Sequence, residues 1–158
     1  MLYDVKTCGV VFCAFALLVA AVNLAVMRFR ATWDIRLHPE KKKGYIELLC
    51  WASLIYLPFF VPGLALITGL ASSPNELFER NPPSPALIVF DVVAALAMMT
   101  MLIFVWFFGG LRLMLTHPAM FRLPWSPFWM KAFWGGMTVF AVVVFGKILL
   151  SDFRDVLK

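Results

Sequence analysis

The chain has 158 residues, of which 63% are hydrophobic and 15% charged, with a mean hydropathy of +0.88. Soluble domains run at about 45–50% apolar and about 25% charged, and a chain this short cannot hide such an excess inside one globule, so composition excludes an ordinary soluble domain. The net charge of +5 does not point to nucleic acid, because the basic residues flank apolar runs and no Gly-rich phosphate loop or Cys/His metal spacing accompanies them.

The first apolar run covers 8–27 (CGVVFCAFALLVAAVNLAVM). It is longer than the apolar core of a signal peptide and reads as a true first spanning helix. Asn23 is its clearest polar residue, and with Ala14, Ala21 and Ala25 nearby it is expected to bond across a helix interface. The link 28–45 holds Arg28, Arg30, Arg36, Lys41, Lys42 and Lys43 together with Trp33, Ile35 and Leu37. The second run, 46–70, carries Pro58 and Pro62 with Gly63 following. Each proline removes a backbone donor and crowds the preceding turn, so a kink is expected. Glu47, at its start, is expected to pair with Lys43 or Arg28.

The link 71–85 reads SSPNELFERNPPSP after Ala71, a loop with breakers on both sides. The third run, 86–110, contains Asp91 and the cluster Met98, Met99 and Met101. The link 111–131 carries Arg112, Arg122 and Lys131 with Phe121, Trp125, Phe128 and Trp129, and the fourth run, 132–150, contains Lys147. Each run reaches the roughly 20 residues that a helix needs to cross a hydrocarbon core. The predicted fold is therefore all-α: a polytopic integral membrane protein, one membrane domain over 1–158, with four transmembrane helices in a bundle. A β-barrel would show alternating segments instead.

Basic residues crowd the first and third links, against Arg80 alone in the second. Short Lys/Arg-rich loops stay on the cytoplasmic side. The expected topology has links 28–45 and 111–131 inside, 71–85 and both termini outside, in a bacterial cytoplasmic membrane. Both inner links contain His-Pro, at His38 and His117, but nothing else aligns as a repeat. Trp33, Lys41, Lys42, Lys43, Trp125 and Trp129 are candidate lipid or partner contacts, since aromatic rings and basic groups favour the headgroup region.

Asp91 and Lys147 are expected at similar depth in neighbouring helices, where charges face the bundle and pair. Such a pair reads as an interhelical salt bridge or as an ion relay. No apolar run contains a histidine, which disfavours a bis-histidine heme. Cys8, Cys13 and Cys50 lie in or beside apolar runs, as small buried hydrophobes do. The serines have no histidine placed to activate them, so no catalytic residue, no metal site and no cofactor is assigned. Three functions fit: a non-catalytic accessory or scaffolding subunit of a larger membrane complex, respiratory or photosynthetic among the hosts; an oligomeric transporter of a small solute or ion; and a subunit holding quinone, heme or pigment. The expected partners are membrane lipids and other membrane subunits, without nucleic acid.

Overall fold

The computed structural model describes residues 4–78, 83–120, 126–148 and 150. Helices make up all the extended elements among them, with no strand. Four helical stretches, Val5–Leu37, Pro39–Thr68, Pro85–Phe107 and Pro127–Ile148, are long and apolar enough to cross a membrane.

Helix α1 (Val5–Leu37) is 33 residues long, about 50 Å at 1.5 Å per residue. The hydrocarbon core is only about 30 Å thick. The helix therefore continues well past the apolar run that ends at residue 27, because nothing in RFRATWDIRL breaks it. Pro39 does. The residue before a proline is pushed out of the α region, and His38 sits at φ −135°, ψ 75°. The link 28–45 is thus mostly helix: the end of α1, a 3-10 turn at Pro39–Lys41, and the start of α2 (Lys42–Ser53).

The second span changes pitch. After α2 the chain tightens into a 3-10 segment over Leu54–Phe60, which contains Pro58, and returns to the α form in α3 (Val61–Thr68), where Pro62 occupies the first turn. Proline at the first turn costs nothing, because that N–H has no intrahelical partner, whereas Pro58 interrupts the ladder. Gly69, at φ 79°, ends α3 in the left-handed region that favours glycine. Helix α4 (Pro85–Phe107) is capped by Ser84, whose Oγ accepts from the Leu87 N–H at 3.1 Å. Gly109, at φ 75°, turns the chain into α5 (Gly110–Thr116). Helix α6 (Pro127–Phe140) is capped in the same way by Ser126 and runs on through a π-helical turn at Ala141–Phe145.

The spans pack in chain order. Helix α1 lies against α3, the 3-10 segment and α3 lie against α4, and α4 lies against the fourth span. The larger core cluster sits where α4 and α6 meet the two basic links and includes Tyr45, Phe104, Met114, Met120 and Trp134. Trp51 stacks on Phe104 with ring centroids 4.4 Å apart. A smaller cluster of Ala65, Leu66, Ala71, Leu77 and Ala86 closes the opposite end.

Candidate functional site

The residues singled out by sequence do not gather at one place. Asp91 is buried, at 3% exposure, whereas Lys147 is exposed. Two ion pairs among the described residues are His38–Glu40 and Lys41–Asp34, and neither involves Asp91 or Lys147. Asn23 also departs from expectation. It is exposed, and its Nδ2 donates to the Val19 carbonyl one turn back at 2.8 Å, so the amide is satisfied within its own helix. Ala14, Ala21 and Ala25 are exposed as well. Glu47 is exposed and forms no ion pair with Lys43 or Arg28. Trp33 and Trp129 are exposed, with the Arg36 guanidinium 5.4 Å from the Trp33 ring centre. Lys42 and Lys43 are exposed too, and Trp125 lies outside the described residues.

The face of α1 that does pack carries Gly9, Ala16, Ala20 and Ala31. A Cβ added at Gly9 would lie 2.7 Å from the Gly63 carbonyl oxygen, and one at Gly63 would lie 2.5 Å from the Cys13 Sγ. Helices α1 and α3 touch backbone to backbone at this point, as small residues allow in apolar surroundings. The spacing from Gly9 through Cys13 to Ala16 and Ala20 was visible in the sequence. It was indistinguishable there from the other small residues of an all-apolar run.

Two arrangements emerge only from the fold. The first is a polar junction at the basic end. His117, the residue before Pro118, ends α5 with its ring turned inward at 7% exposure. Its Nε2 lies 3.2 Å from the Lys41 carbonyl oxygen. Nδ1 lies 2.9 Å from both the Thr116 hydroxyl and the Leu113 carbonyl. The Tyr45 ring meets the imidazole edge to face at 4.6 Å, and the Tyr45 hydroxyl donates to Asp34, to which Lys41 Nζ also donates at 3.3 Å. Side chains from α1, α2 and α5 thus tie the two halves of the chain together. The other His-Pro histidine, His38, is exposed and faces Glu40 at 3.4 Å.

Asp34 stands beyond the apolar run of α1. The Tyr45 hydrogen bond holds its carboxyl below the usual carboxylate range against the opposing effect of burial, with the Lys41 ammonium adding to the lowering. A lowered folded-state value contributes stability above the ordinary aspartate value of about 3.9. That contribution is lost as pH falls through the folded value. The detergent-solubilised protein is expected to lose melting temperature below about pH 4, and Asp34→Asn to flatten that acid limb. An unchanged acid limb in the variant would remove Asp34 from the account.

The second arrangement is an apolar groove of about 640 Å³ between the second, third and fourth spans. The 3-10 segment forms one wall with Ile55, Pro58 and Phe59; α4 gives the floor; α6 gives the far wall. Four of its lining side chains are methionines, Met98, Met101, Met130 and Met137, and the remainder are aliphatic, proline or aromatic. No charged side chain lines it. Its size falls within the range of about 300–1,000 Å³ usual for ligand pockets. No cluster of three or more His, Cys, Asp or Glu side chains suited to a metal occurs among the described residues.

These features define an all-helical chain with four helices of membrane-spanning length and apolarity, a polar junction at one end and an apolar groove along one side. Compared with protein-family models, curated proteins and solved structures, the chain matches none.

Proposed function

We propose that the chain is an integral membrane protein working as a non-catalytic subunit of a larger membrane assembly, in a bacterial cytoplasmic membrane with the basic links inside and both termini outside. The observation that supports this reading is the open row of helices. Only 11% of the apolar window of α1 and 17% of that of the fourth span are buried within the chain. The flanking helices therefore present large side chains such as Phe15, Leu17, Leu18, Val139, Val142 and Val143 outward. In water, apolar surface of this extent would drive association; in a membrane it meets lipid and other helices, where close packing rather than hydrophobicity holds partners together.

Fractionation and labelling test this reading. The protein is expected to stay in the pellet under alkaline carbonate and to run, in mild detergent, in a particle larger than one chain plus its micelle. A cysteine introduced at Ser73 is expected to label from outside intact cells, and one at Lys42 to stay silent. Release by carbonate would refute the membrane reading, a lone chain in mild detergent would refute the subunit reading, and labelling at position 42 would invert the topology.

The groove favours a second reading, a subunit that holds an apolar ligand. Heme is the weakest occupant of that class, because His117 faces the junction and no histidine lines the groove. The transport reading, which rested on the proline-kinked second span and on Asp91 with Lys147, remains an alternative; Asp91 is buried and Lys147 exposed.

A further inference from the structure

We propose that the groove between the second, third and fourth spans is a binding site for one acyl chain of an anionic phospholipid, whose headgroup lies at the basic end of the molecule. This rests on the membrane reading above and on four observations.

The first is shape. Along α4 the groove runs from Phe90 to Met101, and along the fourth span from Met130 to Phe145. At 1.5 Å per residue these are about 16 and 22 Å. One leaflet of a hydrocarbon core about 30 Å thick is about 15 Å deep, so the groove accepts one lipid chain lying along the helix axes. The second is polarity. No charged side chain among the described residues lines that length, and burying a polar group there without a partner would be costly. The described lining thus suits a hydrocarbon occupant along the groove.

The third is access and fit. Ile55, Phe59 and Phe133 line the groove and are 47%, 55% and 44% exposed, so it opens sideways onto the surface that lipid covers. Methionine side chains are flexible and polarisable and adapt to a mobile chain better than branched ones do. The 3-10 segment contributes as well. Its altered pitch over Leu54–Phe60 carries Ile55, Pro58 and Phe59 to the rim.

The fourth is charge complementarity. Met130 lies in the first turn of α6, so the groove begins within about 5 Å of the basic end. Lys131 and Trp129 stand exposed at that level, and Arg112, Lys42 and Lys43 are exposed on the adjoining α5 and α2. Of the acids at this end, Asp34 is engaged by Tyr45 and Lys41, and Glu40, beside His38, and Glu47 are exposed, fewer than the basic residues around them. Basic clusters beside a span attract anionic headgroups.

The test uses the full chain, purified and delipidated in detergent and then returned to nanodiscs of phosphatidylglycerol or phosphatidylcholine with identical acyl chains. Lipid retained on transfer back to detergent is counted by native mass spectrometry. One phosphatidylglycerol per chain is expected to remain, at about five-fold or greater occupancy than phosphatidylcholine. Ala97→Phe, which fills the groove from α4, is expected to abolish retention, and Ala94→Leu to reduce it. Replacing Lys42, Lys43 and Lys131 by glutamine is expected to erase the preference between the two lipids. Equal retention of both lipids by the unaltered protein overturns the assignment, as does undiminished retention by folded Ala97→Phe. If Ala97→Phe does not fold, a phosphatidylglycerol bearing a diazirine at mid-chain decides with the unaltered protein. Crosslinks at Met98, Phe133 or Met137 support the site; crosslinks centred on Phe15 and Val22 of α1 overturn it. Failure of the membrane reading appears separately, as release by carbonate.

Discussion

Gly63→Leu is expected to separate the first helix from the second span and to destabilise the protein more than any single change elsewhere in α1 or α3. Even the first atom of a new side chain at this position lies 2.5 Å from the Cys13 Sγ and 2.7 Å from the Gly9 carbonyl oxygen. The cysteine side chain can rotate away, but the carbonyl belongs to the backbone of α1, so relief requires the helix to move. Overpacking of a close contact costs about 1–3 kcal/mol. Leucine, with a branched end to place as well, belongs at the top of that range. On the proposed membrane reading, hydrophobic driving force does not restore the contact, because lipid is as apolar as leucine. Gly9→Leu is expected to act in the same way, since its Cβ would lie 2.7 Å from the Gly63 oxygen. The control is Gly136→Ala on α6, where nothing lies within 4 Å of an added Cβ. Alanine there is expected to leave stability unchanged or to raise it by up to about 1 kcal/mol. Thermal unfolding in one detergent orders the three variants. Equal melting temperatures for Gly63→Leu and Gly136→Ala would show that α1 and α3 do not meet at these glycines.

The second large effect is expected at Gly44. A Cβ there would sit 2.3 Å from the His117 Nε2, 2.5 Å from its Cε1 and 2.9 Å from the Leu113 Cδ1. Gly44→Val therefore expels the imidazole, breaks its hydrogen bond to the Lys41 carbonyl and disturbs the Tyr45 ring packed against it. A buried group left without its partner costs about 1–3 kcal/mol, and the steric term adds to this. His117→Ala removes the same hydrogen bond but vacates the space that a side chain at position 44 would need. The double variant Gly44→Val/His117→Ala is accordingly expected to be more stable than the sum of the two single losses predicts, with a coupling of about 1 kcal/mol or more. Strict additivity in that cycle would mean that Gly44 and His117 do not share the site.

Both predictions concern small residues whose importance hydropathy does not signal. The sequence marks Gly63 as a companion of the two prolines, and Gly44 only as an interruption in a basic link. The prolines themselves were legible. Pro39 and Pro118 each stop a helix at a histidine, and Pro58 lies within the 3-10 segment. The boundaries of the apolar runs were a poorer guide, because they mark where hydrophobicity ends rather than where the helix does; α1 continues to Leu37.

What the sequence determined by itself is the helical class, the number of stretches long and apolar enough to span, and the crowding of basic residues at two links. These follow from local causes: run length, breaker residues and charge. The tertiary structure decided which residues meet. A spanning helix is apolar on every side, so the faces toward lipid and toward a neighbouring helix carry the same residue types and no 3.6-residue period separates them. For that reason the sequence did not distinguish the exposed Asn23 and Lys147 from the buried Asp91. For the same reason the groove was invisible: Ile55, Met98 and Met137 are unremarkable in their own helices and form a wall only when three spans pack side by side. The Gly44–His117 contact joins residues far apart in the chain, and only the packing of α2 against α5 creates it.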